Sequence, residues 1–181
     1  MRPVERSEIV DLSSYEAIRE SVRSKVIAAK QPRRIALGPN MTLLFENRDT
    51  VRYQVQEMLR VERITGEREI AHELATYNEL VPREGELSAT LLIEYPEVDE
   101  RDRKLRALVG LDVKGLRLRV GRHAVDATFD SRQVGAERIP SVHYIKFVLP
   151  ADVRAAFENV VNFIGGEPTN IVNPEALKVK R

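Results

Sequence analysis

The sequence predicts an α+β protein with a mainly antiparallel sheet and helices packed on one face, including a central helical hairpin. Strand-like and helix-like patterns occur in clusters rather than in strict alternation, which is typical of this fold class. A length of 181 residues with 43% hydrophobic residues suffices for a core without metals or disulfides. Because no repeat or linker interrupts the chain, we expect one domain over residues 1–165 and a loosely ordered tail over 166–181.

The first helix and a β-hairpin are predicted in the first 45 residues. Ser13 or Ser14 is a suitable N-cap, and apolar residues follow it at helical spacing, namely Tyr15, Ile18, Val22 and Val26. The helix should end at Gln31-Pro32, because a residue before proline is disfavoured in the helical region. The turn residues Gly38-Pro39-Asn40 between two short apolar runs then predict a hairpin.

The central helical hairpin is predicted over residues 50–64 and 67–78. Asn47 or Asp49 can cap its first helix, and Thr65-Gly66 separates the two. The remaining strands are predicted over 86–95, 113–121, 123–129 and 141–149, and the remaining helices over 97–110 and 150–164.

Composition and charge exclude several classes of function. Lysine plus arginine (29) nearly equals aspartate plus glutamate (28), so no net field attracts nucleic acid, and we expect none as a partner. There is no cysteine, which excludes disulfides, thiolate metal sites and cysteine nucleophiles. We find no signal peptide and no apolar run long enough for a membrane span. A cytoplasmic protein without membrane association is therefore expected.

The first hairpin helix carries one carboxylate in an unusual place. At about 100° per residue, Glu62 falls near the middle of the apolar stripe of this helix, and Gln54 falls at its edge. A carboxylate on a buried face must be paired, hydrogen-bonded or bound to a metal. Alternatively, Glu62 lies at the frayed helix end and reaches solvent, or an arginine such as Arg34 or Arg48 neutralises it.

The opposite half of the same helix carries Tyr53, Glu57 and Arg60. These side chains are expected at the surface, facing either solvent or a partner. They are the candidate interface residues of the sequence.

Two strand residues complete a candidate site. Glu94 shares a strand face with small polar residues, which suits the rim of a pocket. His143 begins an apolar strand face that continues with Ile145, Phe147 and Leu149, and a histidine there is commonly a hydrogen-bonded core residue. If Glu46, Glu62, Glu94 and His143 met, they could act as acid and base or bind a divalent metal, with Glu62, Glu94 and His143 as candidate ligands.

Known catalytic motifs are absent from the sequence. There is no phosphate-binding glycine loop, no nucleophile elbow and no dinucleotide fingerprint. Glu69 and His72 have the Glu-x-x-His spacing of di-iron bundles, but both lie away from the apolar stripe of their helix. Glu73 lies nearer that stripe and is the better candidate for an inward carboxylate.

Several stretches resemble a bacterial domain-of-unknown-function family, numbered 3501. They are "KQPRRIALGPNMTLLFENRDTVRYQVQEMLRVERI", "ELATYNELVP", "GELSATLLIEY" and "SVHYIKF". The resemblance covers about residues 12–149. It carries no established activity, substrate or catalytic residue.

The resemblance implies a set of residues that are characteristic of the family, and a metabolic context. The family pattern includes Glu46, Asn47, Arg48, Gln54, Gln56, Glu57, Arg60, Tyr77 and Asn78. Family members are encoded near rubrerythrin-like and iron–sulfur electron-transfer proteins, which implies a partner in such a system and a role in redox or peroxide-stress metabolism.

Two hypotheses follow from these patterns. The first is a non-catalytic accessory or interaction protein, homodimeric through Tyr53, Glu57 and Arg60. The second is a small-ligand or divalent-metal-dependent enzyme that uses the carboxylate and histidine cluster, with Asn47, Arg48 and Gln54 as further ligand-binding candidates.

Overall fold

The computed structural model describes residues 1–111, 116–120, 122–133 and 135–155. These residues form seven strands, four complete helices and the start of a fifth at 151–155. The predicted α+β class with a mainly antiparallel sheet is therefore confirmed. The predicted tail, and most of the predicted helix over 150–164, lie outside the described residues.

The chain divides into two compact units. The helical unit consists of Met1–Pro32 and Glu46–Glu84, and the sheet unit consists of Arg33–Phe45 and the chain from Gly85 onward. The single domain expected over 1–165 stays a prediction.

The helical unit begins with α1, Leu12–Lys30. Its N-cap is Asp11 rather than either predicted serine. The Asp11 carboxylate accepts hydrogen bonds from the Ser14 backbone N–H at 2.9 Å and from the Ser13 hydroxyl at 2.6 Å. The aspartate was missed because the serines that follow it are themselves good N-caps.

The other two helices are α2, Arg48–Val61, and α3, Glu67–Asn78. Asn47 is the N-cap of α2, in agreement with one of the two predicted residues. The helix ends three residues before the predicted Ile64, and α3 has its predicted bounds. Because α2 packs against both α1 and α3, it is the central helix of this unit. A helical hairpin as such stays a prediction.

The sheet unit contains all the strands and α4. In chain order its elements are β1 Arg34–Ala36, β2 Met41–Phe45, β3 Glu86–Ile93, α4 Val98–Ala107, β4 Arg117–Val120, β5 His123–Asp126, β6 Thr128–Phe129 and β7 Val142–Val148. Five strands form one antiparallel sheet in the order β1-β2-β3-β7-β6, and β4-β5 form a separate hairpin.

Alternation along the strands builds the core of this unit. On β7, His143, Ile145 and Phe147 are buried, whereas Val142 and Val148 are exposed. Phe147 lies 6.4 Å from Phe45, measured between ring centroids. Burial of apolar strand faces is the main source of stability that the structure offers here.

Candidate functional site at the helical seam

The central helix α2 has two buried faces of different chemistry. One face is apolar and carries Val51, Val55 and Leu59, each at most 1% exposed. The opposite face packs against α1 and carries polar residues. We call this contact the helical seam; its members are Tyr15 and Arg19 of α1 and Tyr53, Glu57 and Arg60 of α2.

Glu57 is the centre of the helical seam. Its Oε1 accepts hydrogen bonds from the Tyr15 hydroxyl at 2.6 Å and from Arg19 Nε at 2.8 Å. Its Oε2 accepts from the second Arg19 nitrogen at 3.0 Å and lies 3.5 Å from Arg60. The Glu57 side chain is only 20% exposed. The expectation that Glu57 lies at the surface is therefore wrong, because α1 of the same chain covers it.

The pKa values at the seam follow from this arrangement. Burial acts to raise the pKa of Glu57, but hydrogen bonds from Arg19 and Tyr15 and the charges of both arginines hold it below its ordinary value. Burial, with the hydrogen bond to Glu57 as a second cause, raises the pKa of Tyr15 well above its ordinary range. The carboxylate is thus ionised and the phenol neutral at pH 7, as a charge-assisted hydrogen bond requires.

Tyr53, also a member of the helical seam, lies among several cations. Lys30 Nζ is 5.6 Å from the centroid of its ring. Burial and the charge of Glu57 raise the pKa of Tyr53, while the charges of Arg19, Arg23 and Arg60 act in the opposite direction. Tyr53 is half-buried and also lines an open groove between α1 and α2.

This groove has apolar walls and a charged edge. Val10, Ile18 and Val22 contribute apolar surface, and exposed Asp49 and Arg52 lie at its edge. Ile18 is 47% exposed, although the sequence placed it on the apolar face of the helix. Ile18 is exposed because it lies at the margin of the α1 face that contacts α2.

Two amides of the family pattern fasten the N-terminal segment to the helical unit. Gln56 is 5% exposed, and its amide both accepts from the Val10 N–H at 3.1 Å and donates to the Val10 carbonyl at 3.0 Å. Asn78 makes the same pair of bonds with Val4, at 2.7 and 2.9 Å. These side chains replace backbone pairing for a segment outside any sheet.

The predicted ligand-binding residues near the start of α2 have structural partners. Asn47 accepts from the Thr50 N–H at 2.9 Å as the N-cap, and the Thr50 hydroxyl donates to Glu46, which is 4% exposed. Arg48 donates to the Pro3 carbonyl and contacts Glu8, so it holds the N-terminal segment. Gln54 is half-buried.

The placement of Glu62 corrects the helical-wheel prediction. Glu62 is the C-cap of α2 and is exposed, so it does not lie on the buried face. The wheel failed because the helix ends at Val61, and Arg63, two residues further on, adopts a positive φ of 55°. The alternative in which Glu62 reaches solvent at the helix end is confirmed.

The two strand candidates differ in exposure. Glu94 follows β3, is exposed, and accepts from the Thr42 hydroxyl at 2.8 Å. His143 is 2% exposed, pairs with Leu91 across the strands, and meets the Phe129 ring edge-on at 5.5 Å between centroids. Alternation along the paired strands directs these two side chains to opposite faces.

The predicted metal ligands are not brought together. In the part of the chain that the structure describes, no three His, Asp or Glu side chains are grouped so that they could hold a metal ion. Glu69 and His72 are both exposed, and Glu73 is half-buried. Within the same residues, no helix is both long and apolar enough to cross a membrane.

Sequence reasoning missed Tyr15 and Arg19 as partners of Glu57. Tyr15 appeared only as an apolar stripe residue, and Arg19 was not singled out. A signal existed, because Arg19 is four residues after Tyr15 and thus lies on the same helix face. An arginine within an apolar stripe is a candidate partner for a carboxylate on another helix.

The fold and the seam define a class: an α+β protein in which a helical unit is held together by half-buried ion pairs and by side-chain amides. The chain belongs to the family described as protein of unknown function, DUF3501, whose family model matches residues 3–164. The resemblance seen in the sequence is thereby confirmed.

A solved structure of another protein shares this fold. It is a protein of unknown function from Burkholderia pseudomallei, with 34% sequence identity and a TM-score of 0.82. The similarity covers 88% of this chain and 83% of that chain. No curated protein gives a significant match.

Proposed function

We propose that the protein is a non-catalytic interaction protein that forms a homodimer through the outer face of α1. On the α2 face first expected to bind a second subunit, Glu57 is already engaged by Tyr15 and Arg19 of α1. The surface left for a partner on this side of the helical unit is therefore α1 itself. The observation that carries the proposal is the pattern of exposed residues along that helix.

Four exposed residues of α1 follow one another at spacings of four, three and four. They are Glu16, Glu20, Arg23 and Ile27. Residues with this spacing form a stripe on one side of a helix, as in a coiled-coil seam. Ile27 is 49% exposed, and the Glu20 side chain is 81% exposed. We call this stripe the outer α1 face.

The outer α1 face is complementary to itself. In an antiparallel pair of α1 helices related by a twofold axis, Glu20 of each copy is opposite Arg23 of the other, and Glu16 is opposite Ile27. A twofold interface requires this reciprocity. Opposite charges then face one another, and the Ile27 side chain can pack against the methylene groups of Glu16.

Charge exchange across the axis tests the dimer. Glu20→Arg and Arg23→Glu, made singly, each place like charges opposite one another, and we expect both variants to become monomeric. The double variant restores opposite charges and should again have twice the 20.6 kDa mass of the chain. Light scattering during size-exclusion chromatography measures this, and circular dichroism verifies folding.

A charge reversal elsewhere in the helical unit is the matched control. Glu62→Arg changes an exposed residue away from the outer α1 face and should leave the mass unchanged. A monomeric wild-type protein would overturn the proposed dimer. Failure of the double variant to recover the dimeric mass would place the interface on another surface.

We propose that the protein has an accessory function in cytoplasmic redox or peroxide-stress metabolism. The support is the gene neighbourhood that the family resemblance implies, with a rubrerythrin-like or electron-transfer protein as partner. The chain contains no cysteine and so offers no thiol of its own for redox chemistry. Its contribution would then be to bind and organise a protein that carries the redox centre.

Survival under hydrogen peroxide tests this setting. A strain without the gene should survive peroxide less well than its parent, and the wild-type gene should restore survival. The Glu20→Arg variant should fail to restore it if dimerisation is needed. Equal survival of the deleted and parent strains would refute the link to peroxide stress without affecting the dimer.

A further inference from the structure

Positive charge exceeds negative charge around Tyr53. Arg19, Arg23, Arg60 and Lys30 all act on or contact this residue, whereas Glu57 is the carboxylate that acts on it. The Glu57 oxygens are already engaged by Tyr15 and Arg19. Glu16 acts on Arg19 and Glu20 lies near Arg23, so the four cations face three carboxylates.

Two of these cations have weak contacts with acids. Arg60 lies 3.5 Å from Glu57, and Arg23 lies 4.0 Å from Glu20, whose side chain is 81% exposed. Ion pairs of this length and exposure contribute little. Both guanidinium groups thus have donors available for another anion.

Arg60 also has a donor that lacks an acceptor. Among the residues that the structure describes, its Nε atom is buried and makes no hydrogen bond. Leaving a buried donor unsatisfied is costly, and small movement of a side chain that is 31% exposed can bring it to an acceptor. Guanidinium groups bind carboxylate and phosphate oxygens in a planar, paired geometry.

The cluster is open to solvent at three of its members. Tyr53 is half-buried, and the side chains of Arg60 and Arg23 are 31% and 47% exposed, so a ligand in solvent can reach them. A tyrosine hydroxyl can donate a hydrogen bond to an anion. A phenol next to several guanidinium groups is thus a suitable environment for an oxygen anion.

We propose that Tyr53 and Arg60, with the charges of Arg19 and Arg23, form a binding site for an oxyanion, a phosphate or a carboxylate group. The site shares Arg23 with the outer α1 face, whereas Tyr53 and Arg60, the residues that the tests change, belong to α2 and lie outside that face. Binding adds a negative charge to the cluster and gives Arg60 an acceptor. It should also strengthen the contact between the two helices.

Titration of the full chain with inorganic phosphate, and separately with acetate, tests the site. Chloride at the same ionic strength is the reference. We expect saturable NMR shifts of the Arg60 Nε–H and the Tyr53 ring signals. Binding of phosphate but not of acetate would identify a phosphate group as the natural ligand chemistry. Binding of both anions would extend that chemistry to carboxylates.

Variants assign the binding to this cluster. Arg60→Met should weaken binding about tenfold or more, the effect of losing one hydrogen bond to a charged group. Tyr53→Phe should weaken it less, because only a neutral donor is removed. Arg52→Met is the matched control: this exposed arginine of α2 is 3.4 Å from Asp49, and its loss should leave binding unchanged.

Three results would overturn the proposal. They are the absence of saturable shifts with either anion, equal shifts with chloride, and unchanged binding by Arg60→Met. Should Arg60→Met fail to fold, Arg60→Lys retains the charge and removes the paired geometry, so weaker binding is again expected. None of these results depends on whether the protein is a dimer.

Discussion

In the sheet unit the buried cluster consists of apolar side chains, whereas in the helical unit a half-buried seam consists of a carboxylate, two arginines and two tyrosines. The sheet unit thus obtains its stability from the removal of apolar area from water. The helical seam depends on matched charges, and its contribution varies with protonation and with bound ions. Such a seam is the better candidate for a surface that responds to a ligand.

The largest effect is expected in the sheet unit. Phe147 of β7 is fully buried, and Phe147→Ala should lower the free energy of unfolding by about 3–5 kcal/mol, through lost burial and a new cavity. Urea denaturation measures the change. The neighbouring Val148→Ala is the control, because Val148 is 58% exposed and its loss should cost about 0.5 kcal/mol or less.

If Phe147→Ala lowered the free energy of unfolding only slightly, this would contradict the view that apolar packing dominates the stability of the sheet unit. If the variant fails to fold, Phe147→Leu retains most of the buried area. We expect Phe147→Leu to fold, with a loss between those of Phe147→Ala and Val148→Ala.

A smaller, pH-dependent effect is expected at the helical seam. Glu57→Gln retains the shape of the side chain but leaves Arg19 and Arg60 without their anion. At pH 7 we expect a loss of about 1–3 kcal/mol in the free energy of unfolding, the cost of a partly buried charge without its partner. Glu62→Gln, at an exposed carboxylate near the end of the same helix, should change stability by about 0.5 kcal/mol or less.

The pH dependence distinguishes charge from packing at Glu57. Its folded-state pKa is lowered relative to the ordinary value of 4.5. The stabilisation is therefore fully present above pH 4.5 and is lost as the pH falls through the folded-state pKa. The difference in stability between wild type and Glu57→Gln should shrink below pH 4.5. A difference that stays constant across this range would mean that packing, not charge, holds the seam.

The same contrast explains which parts of the fold the sequence could predict. Strand alternation placed Ile145 and Phe147 inward because the period of a strand is local and the core is apolar. On α2, the wheel correctly separated an apolar face from a polar one. It could not show that the polar face is half-buried as well, because the element that packs on it, α1, is distant in sequence.

Prediction of the candidate site was limited by helix ends and by long-range partners. Glu62 was misplaced by a helix end that fell three residues early, and helix boundaries are the least certain part of a sequence-based prediction. The partners of Glu57 are 38 and 42 residues away. Local periodicity contains no information about such contacts.

The smallest expected effect concerns the cap that starts α2. Asn47 accepts a hydrogen bond from the Thr50 N–H, and Asn47→Ala should cost about 1 kcal/mol, the usual loss for an N-cap. Asp49, the other residue that the sequence offered as a cap, is exposed and makes a 3.4 Å contact with Arg52. Asp49→Ala should therefore cost only a few tenths of a kcal/mol, through the helix dipole.

Amide hydrogen exchange in the first turn of α2 compares the two variants directly. Exchange at Thr50 should accelerate in Asn47→Ala and change little in Asp49→Ala. Because α2 is the helix that both α1 and α3 contact, faster opening of its first turn should also reach Tyr53 and so the edge of the seam. If exchange at Thr50 instead accelerated more in Asp49→Ala than in Asn47→Ala, the helix dipole, rather than the Asn47 cap, would fix the start of α2.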